Sequence, residues 1–239
     1  MNLLMSEKTD LIDYACRNFR LKSFADLGAV WVVNGGYTFY TLENYKIDKA
    51  FLVDTDTSSV VEEKQKSFPQ LSVIKANFGS HDIAKKIGDV DAIFMFDVLL
   101  HQVSPDWDEV IRIYSSITRN FIVYNPQYIG PKTLRLLALG EEEYFNNVPH
   151  SKTEEPYKSL FEKMYEIHPQ HQRIYRDIHN VWQWGIVTDD LIDVMRENGF
   201  QKMYHRNYGQ WNNLQAFERH AFIFTKSELP RPKGGASEP

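Results

Sequence analysis

Five short apolar runs, separated by stretches with the character of amphipathic helices, restrict the fold of this chain more than any other sequence feature. The runs are continuous rather than alternating, as is typical of strands in a sheet that is covered on both faces. Strands that alternate with helices in this way build right-handed βαβ units and a mostly parallel sheet. The predicted strands are residues 24–27, 50–53, 71–74, 90–96 and 121–124, and the predicted helices are 7–20, 37–45, 58–66, 81–87 and 107–117.

The alternating pattern stops after residue 125 and returns at Thr188, where a threonine followed by two acidic residues predicts the start of a last helix. That helix ends at Gly199, and two strand-like runs follow at about residues 201–208 and 217–225. We therefore predict an α/β fold, Rossmann-like and doubly wound, with a mostly parallel seven-stranded sheet. Residues 126–185 are predicted to form an inserted cap within a domain of residues 1–226. Residues 227–239, rich in proline, glycine and charge, are predicted to be a disordered tail.

The composition limits the partners of the chain. Its 239 residues include 27 basic and 32 acidic side chains, and this acidic balance argues against binding to nucleic-acid phosphates. The single cysteine, Cys16, excludes a disulfide framework and a cysteine-built zinc site, and it suits a reducing cytosol. No apolar segment reaches the length of a membrane span, and the first ten residues lack the pattern of a signal peptide. We expect a cytoplasmic protein without a membrane or nucleic-acid partner.

Residues with polar or small side chains follow each predicted strand. In an open parallel sheet, ligands bind beyond the carboxyl ends of the strands, so these residues are the candidate site. A glycine-rich loop after the first strand and an acid at the end of the second are what a nucleoside ligand needs, because backbone approaches the ligand and the acid accepts the ribose hydroxyls. In chain order the candidates are Asp26, Gly28, Gly35, Gly36, Asp54, Asn77, Phe78, Asp97, Val98, His101, Tyr124 and Asn125.

Four of these stretches together resemble the class I S-adenosylmethionine-dependent methyltransferase family. They are residues 24–28, 51–54, 74–78 and 91–101, and the resemblance extends over about residues 20–125 and 186–226. It implies that the protein binds S-adenosylmethionine and releases S-adenosylhomocysteine. It also implies a cofactor site made of Asp26, Gly28, Gly35, Gly36, Asp54, Asn77, Phe78, Asp97 and Val98.

The loop after the first strand departs from the family pattern. The family usually has glycines at alternate positions from Gly28 onward, whereas Val30 and Val32 occupy those places here. Gly35 and Gly36 come later, as if the loop were longer by a few residues. We expect this loop to take a different path around the cofactor, or the cofactor site to be altered.

The segment after the fifth strand is where this family commonly builds its acceptor site. His101 and His179 are the candidate general bases, because a poorly acidic hydroxyl needs a base before methyl transfer. Trp182 and Trp184 are candidates for stacking on a sugar or a flat ring, and Arg173 and Arg176 for holding a carboxylate or phosphate. Tyr124, Asn125 and His171 complete the predicted acceptor residues. We predict O-methylation of a hydroxyl on a small molecule of sugar or natural-product type.

Two alternatives stay open at this point. Asp54 and Asp56 also resemble the acid pair with which nucleotide-sugar glycosyltransferases hold a divalent ion. The unusual glycine loop is also compatible with a non-catalytic binding subunit that keeps the fold and has lost the cofactor. The histidines at 168, 171 and 179 match no strong zinc spacing, so no metal is predicted. The oligomeric state is open, with a homodimer among the possibilities.

Overall fold

The computed structural model describes residues 4–178 and 180–226. The predicted catalytic residue His179 and the predicted tail, residues 227–239, lie outside the described residues. The strands are β1 (Ser23–Leu27), β2 (Lys49–Asp54), β3 (Leu71–Lys75), β4 (Val90–Phe96), β5 (Thr118–Tyr128), β6 (Leu134–Arg135), β7 (Trp184–Gly185), β8 (Phe200–Trp211) and β9 (Leu214–Lys226). The helices are α1 (Ser6–Phe19), α2 (Gly36–Asn44), α3 (Ser59–Gln65), α4 (His81–Ile87), α5 (Trp107–Ser115), α6 (Glu141–Asn147) and α7 (Thr188–Glu197).

A seven-stranded sheet forms the centre of the molecule, in the order β3-β2-β1-β4-β5-β9-β8. The strands β1 to β5 are parallel, whereas β9 is antiparallel to β5 and β8 is antiparallel to β9. The Rossmann-like, mostly parallel fold predicted from the sequence is confirmed. The strand order reverses between β1 and β4, and this switch is where ligands bind in open α/β sheets.

The fifth strand is longer than predicted. The sequence placed its end at Tyr124, but β5 continues through Pro126 to Tyr128. A proline lacks the N–H that a central strand needs. Here the register of β4 against β5 ends at Phe96 with Tyr124, so Pro126 lies beyond the end of β4. Pairing with β9 on the other side carries the strand to Tyr128.

Apolar side chains cover both faces of the sheet, as the continuous apolar strands predict. One face packs against α5 and α7 through residues that include Met95, Phe121 and Leu191. The opposite face packs against α1 and α2, where Leu11 and Ile12 are completely buried. Burying one such aliphatic side chain contributes about 1.5–3 kcal/mol to stability. These two helical layers fix the positions of the carboxyl ends of β1, β2 and β4. We call this edge of the sheet the floor of the candidate site.

The chain between β5 and α7 forms an irregular layer above that floor. It contains α6, several single 3-10 turns and the short antiparallel pair of β6 and β7. Its own apolar cluster includes Leu136, Tyr144 and Trp182, each with at most 4% of its surface exposed. The Gln183 N–H donates to the Leu100 carbonyl over 2.8 Å, which attaches this layer to the segment after β4.

None of the described helices combines the length and the apolar composition that crossing a membrane requires.

Candidate functional site

A cavity of about 570 Å³ lies between the carboxyl ends of the central strands, helix α1 and the irregular layer. Its size is within the usual range for small-molecule sites. Seven of the nine residues predicted to bind a cofactor line its floor. They are Asp26, Gly28, Asp54, Asn77, Phe78, Asp97 and Val98.

Gly28 opens the loop after β1 and leaves the space that a side chain would occupy. Its φ is +71°, and a Cβ built on it would lie 2.6 Å from Cγ1 of Val98 and 3.4 Å from Cε1 of Phe78. Any larger residue would therefore meet the wall of the cavity and a strained backbone together. The Gly28 N–H donates to the Val53 carbonyl over 2.8 Å, which fixes the start of the loop beside β2.

The later glycines, Gly35 and Gly36, lie outside the cavity lining. A Cβ on Gly35 would lie 2.7 Å from Leu52 and 3.0 Å from Phe39, so this glycine permits close packing of α2 on the sheet. A Cβ on Gly36 would meet the side chain of Leu4. The longer loop predicted from the sequence turns back on itself, because the Gly35 N–H donates to the Ala29 carbonyl over 2.8 Å.

The two residues at the tip of this loop, Trp31 and Val32, line the cavity in place of the later glycines. They are 47% and 68% exposed. Val32 has a φ of +64°, which is a rare conformation for a β-branched residue. The loop therefore places two apolar side chains at the mouth of the cavity. The sequence pattern did not predict that these residues line the site.

Asp54 ends β2 and is held rigidly by backbone donors. Its Oδ2 accepts the Val30 N–H over 2.8 Å, and its Oδ1 accepts the Asp56 N–H over 3.1 Å. The residue is 6% exposed and lines the cavity. A carboxylate has about four acceptor positions, so this one retains acceptor capacity for a hydroxyl donor in the cavity.

Asn77 and Phe78 follow β3 and form the adjoining wall. The Asn77 Oδ1 accepts the Gly79 N–H over 2.8 Å, which stabilises a tight turn. The Phe78 carbonyl accepts a hydrogen bond from the hydroxyl of Tyr114 over 2.8 Å. This bond fixes the backbone that carries the ring of Phe78 beside Gly28. The three strand ends β1, β2 and β3 thus meet at one side of the cavity.

Lys8 of α1 enters the cavity and pairs with Asp97 at the end of β4. The Nζ to Oδ2 distance is 2.5 Å, and the ammonium also lies 5.1 Å from the ring centres of Tyr37 and Tyr124. Asp97 has a φ of +55°, and its Oδ1 is buried without a hydrogen-bond partner in the described part of the chain. A buried carboxylate oxygen without a donor marks a position where a ligand donor fits.

Sequence reasoning missed Lys8, although a signal was present. Lys8 lies three and four residues before Leu11 and Ile12, so it falls on the apolar, inward face of an amphipathic helix. A lysine at such a position is 6% exposed only because it has an acidic partner. The partner, Asp97, lies 89 residues away in the chain, and therefore no local sequence pattern predicts the pair.

The acids of the floor have shifted pKa values. Burial raises the pKa of Asp26 to about 7, against the opposing effects of a 2.6 Å hydrogen bond from Thr38 and the charge of Lys8. Burial also raises the pKa of Asp97, although Lys8 opposes the shift. For Lys8 burial is the largest single influence and acts to lower the pKa, but the charge of Asp97, the contribution of Tyr37, the hydrogen bond to Asp97 and the contribution of Asp26 together outweigh burial, so the pKa of Lys8 lies above its ordinary value.

Two histidines line the opposite side of the cavity. The Nδ1 of His101 is 3.1 Å from the Val181 carbonyl, which favours the tautomer with the lone pair on Nε2. The Nε2 of His150 is 2.7 Å from the Asn180 carbonyl, and its ring stacks on Tyr157 at 4.1 Å. Burial lowers the pKa of His150, so this ring is neutral at pH 7. His150 was not predicted, because it lies in a segment without periodicity.

The predicted acceptor residues divide into two groups. Arg173 and Trp182 line the cavity, together with Trp211, which the sequence did not single out. The remaining predicted acceptor residues do not line it. They are Tyr124, Asn125, His171, Arg176 and Trp184.

Each residue outside the cavity has a contact or an exposure that explains its position. The hydroxyl of the buried Tyr124 donates to the carboxylate of Glu7, and Asn125 Nδ2 donates to the Pro126 carbonyl over 2.7 Å. Trp184 Nε1 donates to the Gln102 carbonyl over 2.8 Å. Arg176 pairs with Asp177 at 3.0 Å, and His171 is exposed.

Within residues 4–178 and 180–226, no group of three or more histidine, cysteine, aspartate or glutamate side chains is arranged to hold a metal ion.

Comparison with known proteins gives a consistent result at the level of the fold. No protein-family model matches the chain, and no curated protein matches it by sequence. Solved structures of methyltransferases match it over nearly its whole length.

An O-methyltransferase family protein from Burkholderia thailandensis matches with 12% identity and a TM-score of 0.52, over 92% of this chain and 56% of that one. The chain thus spans little more than half of that protein. The 1,6-didemethyltoxoflavin-N1-methyltransferase of the same organism, solved with 1,6-didemethyltoxoflavin and S-adenosylhomocysteine, matches with 12% identity and a TM-score of 0.59, over 92% and 78%. The N-terminal domain of EvdMO1, solved with S-adenosylhomocysteine and D-fucose, matches with 11% identity and a TM-score of 0.60, over 93% and 84%.

The strand order, the cavity at the switch between β1 and β4, and these matches together define the class I S-adenosylmethionine-dependent methyltransferase fold. The low identities establish this fold and no particular reaction.

Proposed function

We propose that the protein is an S-adenosylmethionine-dependent methyltransferase that acts on a small molecule. The observation that carries the proposal is the meeting of Gly28, Asp54 and the unpartnered Oδ1 of Asp97 in one cavity at the ends of β1, β2 and β4. Structural neighbours with bound S-adenosylhomocysteine support it, since they share the fold.

The residues present fit this cofactor. Gly28 leaves the room in which a ligand passes close to backbone, and Asp54 offers a fixed carboxylate to two ribose hydroxyls. Lys8 and Asp97 together present one cation and one unpartnered anionic oxygen, which suits the carboxylate and ammonium of an amino-acid group. Asn77 and Phe78 would border the adenine.

When bound, the cofactor supplies an electrophilic methyl group on a sulfonium sulfur. The contribution of the protein is to hold the acceptor in line with that group and to exclude water from the cavity. Helix α1 does part of this work, because Lys8 and the preceding Met5 form one side of the enclosure.

His101 is the proposed general base for an acceptor hydroxyl. Its Nδ1–H is directed to the Val181 carbonyl, so Nε2 carries the lone pair that receives the proton. This arrangement favours O-methylation, although two structural neighbours are N-methyltransferases according to their names. We propose a small-molecule acceptor and no nucleic-acid partner, because acidic side chains outnumber basic ones. We propose a cytoplasmic location, because a single cysteine suits a reducing compartment.

The glycosyltransferase alternative receives less support from the site. Both oxygens of Asp54 accept backbone N–H groups, so Asp54 is oriented by its own loops rather than paired with Asp56 around a common ion.

Calorimetric titration with S-adenosylhomocysteine tests the proposed function. We expect one site per chain, with manganese alone giving no thermal shift. Absence of binding by both calorimetry and equilibrium dialysis would contradict the proposal and favour a non-catalytic member of the fold. Methyl transfer is then measured with labelled S-adenosylmethionine and hydroxylated small-molecule acceptors.

A further inference from the structure

The two ends of the cavity differ in charge. The floor contains Asp26, Asp54 and Asp97, and its cation, Lys8, is engaged by Asp97 at 2.5 Å. At the other end the irregular layer contributes Arg173 and Asp177, and the carboxylate of Asp177 is engaged by Arg176 at 3.0 Å. Among residues 4–178 and 180–226, the guanidinium of Arg173 has no ion pair, hydrogen bond or ring contact. The irregular layer therefore contributes to the cavity one cation that the described residues leave unpaired.

The lack of a partner for Arg173 within the described ranges is unusual for its position. It is half-buried, and cationic groups removed from water are normally paired. One carboxylate is close in the chain, that of Asp177, which also lines the cavity. Asp177 binds Nε of Arg176 at 3.0 Å instead. Arg173 thus lines the cavity with a guanidinium that has five N–H donors and no acceptor from the described chain.

The backbone around Arg173 is well ordered by hydrogen bonds. An isolated bridge joins Ile167 to Ile174, and the His168 N–H donates to the Arg173 carbonyl over 2.7 Å. The Gln172 N–H donates to the His168 carbonyl over 2.9 Å, which closes the turn. The Cα of Arg173 is therefore held in place beside the cavity, which reduces the backbone entropy lost when a ligand binds there.

Apart from the carboxylate of Asp177, the walls next to this end of the cavity are aromatic and uncharged. Trp182 is 4% exposed, and Trp211 contacts it edge to face at 6.0 Å with its Nε1–H buried and unpartnered among the described residues. The neutral ring of His150 completes the surroundings. Aromatic walls of this kind bind ring systems, and an arginine beside them recognises a planar or tetrahedral anion through paired hydrogen bonds.

We infer that the acceptor is a ring compound carrying a carboxylate or phosphate, and that Arg173 binds this anionic group. That the ligand is the methyl acceptor rests on the proposed function, whereas the anion site is inferred from the cavity alone. The charge arrangement also orients the ligand, because the cation of the floor, Lys8, is paired with Asp97, while the carboxylate of Asp54 repels an anion that enters in the opposite direction. Arg176, which the sequence could not distinguish from Arg173, has no part in it.

The test uses simple probes with the full chain. Benzoate, phenyl phosphate and benzamide are titrated against the protein saturated with S-adenosylhomocysteine, and tryptophan fluorescence and calorimetry report binding. We expect at least one of the two anions to bind about 10-fold tighter than benzamide, as charge-assisted bidentate pairing implies. Comparison of the two anions decides between carboxylate and phosphate.

Variants assign the effect to one residue. In Arg173→Gln we expect the ratio of anion affinity to benzamide affinity to fall to about 1. Arg173→Lys should retain part of the ratio, since lysine keeps the positive charge but not the two parallel N–H donors of a guanidinium. Arg119→Gln is the matched control and should keep the preference, because Arg119 is exposed and lies outside the cavity, whereas Arg176 holds the cavity carboxylate Asp177. Affinity for S-adenosylhomocysteine should be equal in all four proteins.

Three results would overturn the inference: no binding by either anion, equal binding of anions and benzamide, or an anion preference that persists in Arg173→Gln. Failure of the proposed function is a separate result. It would appear as loss of S-adenosylhomocysteine binding in the unaltered protein, with the anion titrations still measurable without it.

Discussion

Lys8 and Asp97 lie 89 residues apart in the chain, yet their side chains form a 2.5 Å ion pair inside the cavity. The two side chains are 7% and 24% exposed. Glu7, the preceding residue, pairs with Arg219 of β9 at 2.9 Å. The first helix is therefore attached by charge both to the candidate site and to the antiparallel part of the sheet.

Removal of the Lys8 charge is expected to destabilise the fold. Lys8→Met leaves Asp97 without its cation in a mostly buried position, and breaking a pair of this kind costs about 2–4 kcal/mol. Urea unfolding of Lys8→Met, Asp97→Asn and the double variant should give a coupling energy of about 1–3 kcal/mol. The exposed pair of Lys64 and Glu43, 3.5 Å apart, is the control, and Lys64→Met should cost less than about 0.5 kcal/mol. A coupling energy near zero for Lys8 and Asp97 would contradict the importance of the pair.

Loss of the Asp54 carboxylate is expected to weaken cofactor binding. Asp54→Ala removes the acceptor proposed for the ribose and the anchor of the Val30 N–H, so the affinity for S-adenosylhomocysteine should fall about 10- to 100-fold. Circular dichroism should show a retained fold. Asp56→Ala is the control, because Asp56 is exposed and the glycosyltransferase alternative, unlike the methyltransferase, requires it. Unchanged affinity in Asp54→Ala would count against the assignment of the site.

A methyl group at Gly28 should block the cavity. The Gly28→Ala Cβ would lie 2.6 Å from Val98 at a positive φ, so we expect loss of S-adenosylhomocysteine binding in addition to a stability cost of about 1–3 kcal/mol. Gly88 provides a matched control, since it has a φ of +65° and a Cβ placed on it would have no atom within 4 Å. Gly88→Ala should cost about 1–3 kcal/mol for the backbone alone, because φ +65° with ψ −164° is a conformation that favours glycine, and it should leave binding unchanged. Equal binding in the two variants would show that Gly28 has only a conformational role.

The pKa of Asp26 predicts how stability changes with pH. Because burial raises this pKa from 3.8 to about 7, the folded state holds a proton that the unfolded state releases. Its contribution to stability is complete below about pH 4 and is lost as the pH rises through about 7. Asp26→Asn mimics the protonated form, so at pH 8 it should be more stable than the unaltered protein by about 2–4 kcal/mol.

Urea midpoints measured between pH 5 and pH 8 check this prediction. The advantage of Asp26→Asn should grow as the pH rises, whereas a variant of the exposed Asp89, Asp89→Asn, should show no such growth. A constant difference between Asp26→Asn and the unaltered protein across this range would exclude a proton on Asp26. Cofactor binding near pH 7 should also release a proton, because a bound cation favours the ionised carboxylate. Calorimetry in buffers with different ionisation enthalpies measures that release.

Local sequence pattern was sufficient for the scaffold and for most of the floor. Continuous apolar runs and amphipathic periods depend on neighbouring residues in the chain, and a parallel sheet brings the ends of its strands to one edge. Asp26, Gly28, Asp54, Asn77 and Asp97 were therefore found from their positions after strands, and the structure places all of them around one cavity.

The other half of the cavity was decided by tertiary structure. The irregular layer has no periodicity, so nothing in its sequence could separate Arg173, which faces the cavity, from Arg176, which binds Asp177. His150 and Trp211 reach the cavity through contacts with residues far away in the chain, and Lys8 does so through Asp97. The sequence by itself determined the sheet and the acids at its edge, because those depend on short-range periodicity. Which side chains close the cavity, and which cation the described chain leaves unpaired, depend on long-range packing, and only the folded chain specifies them.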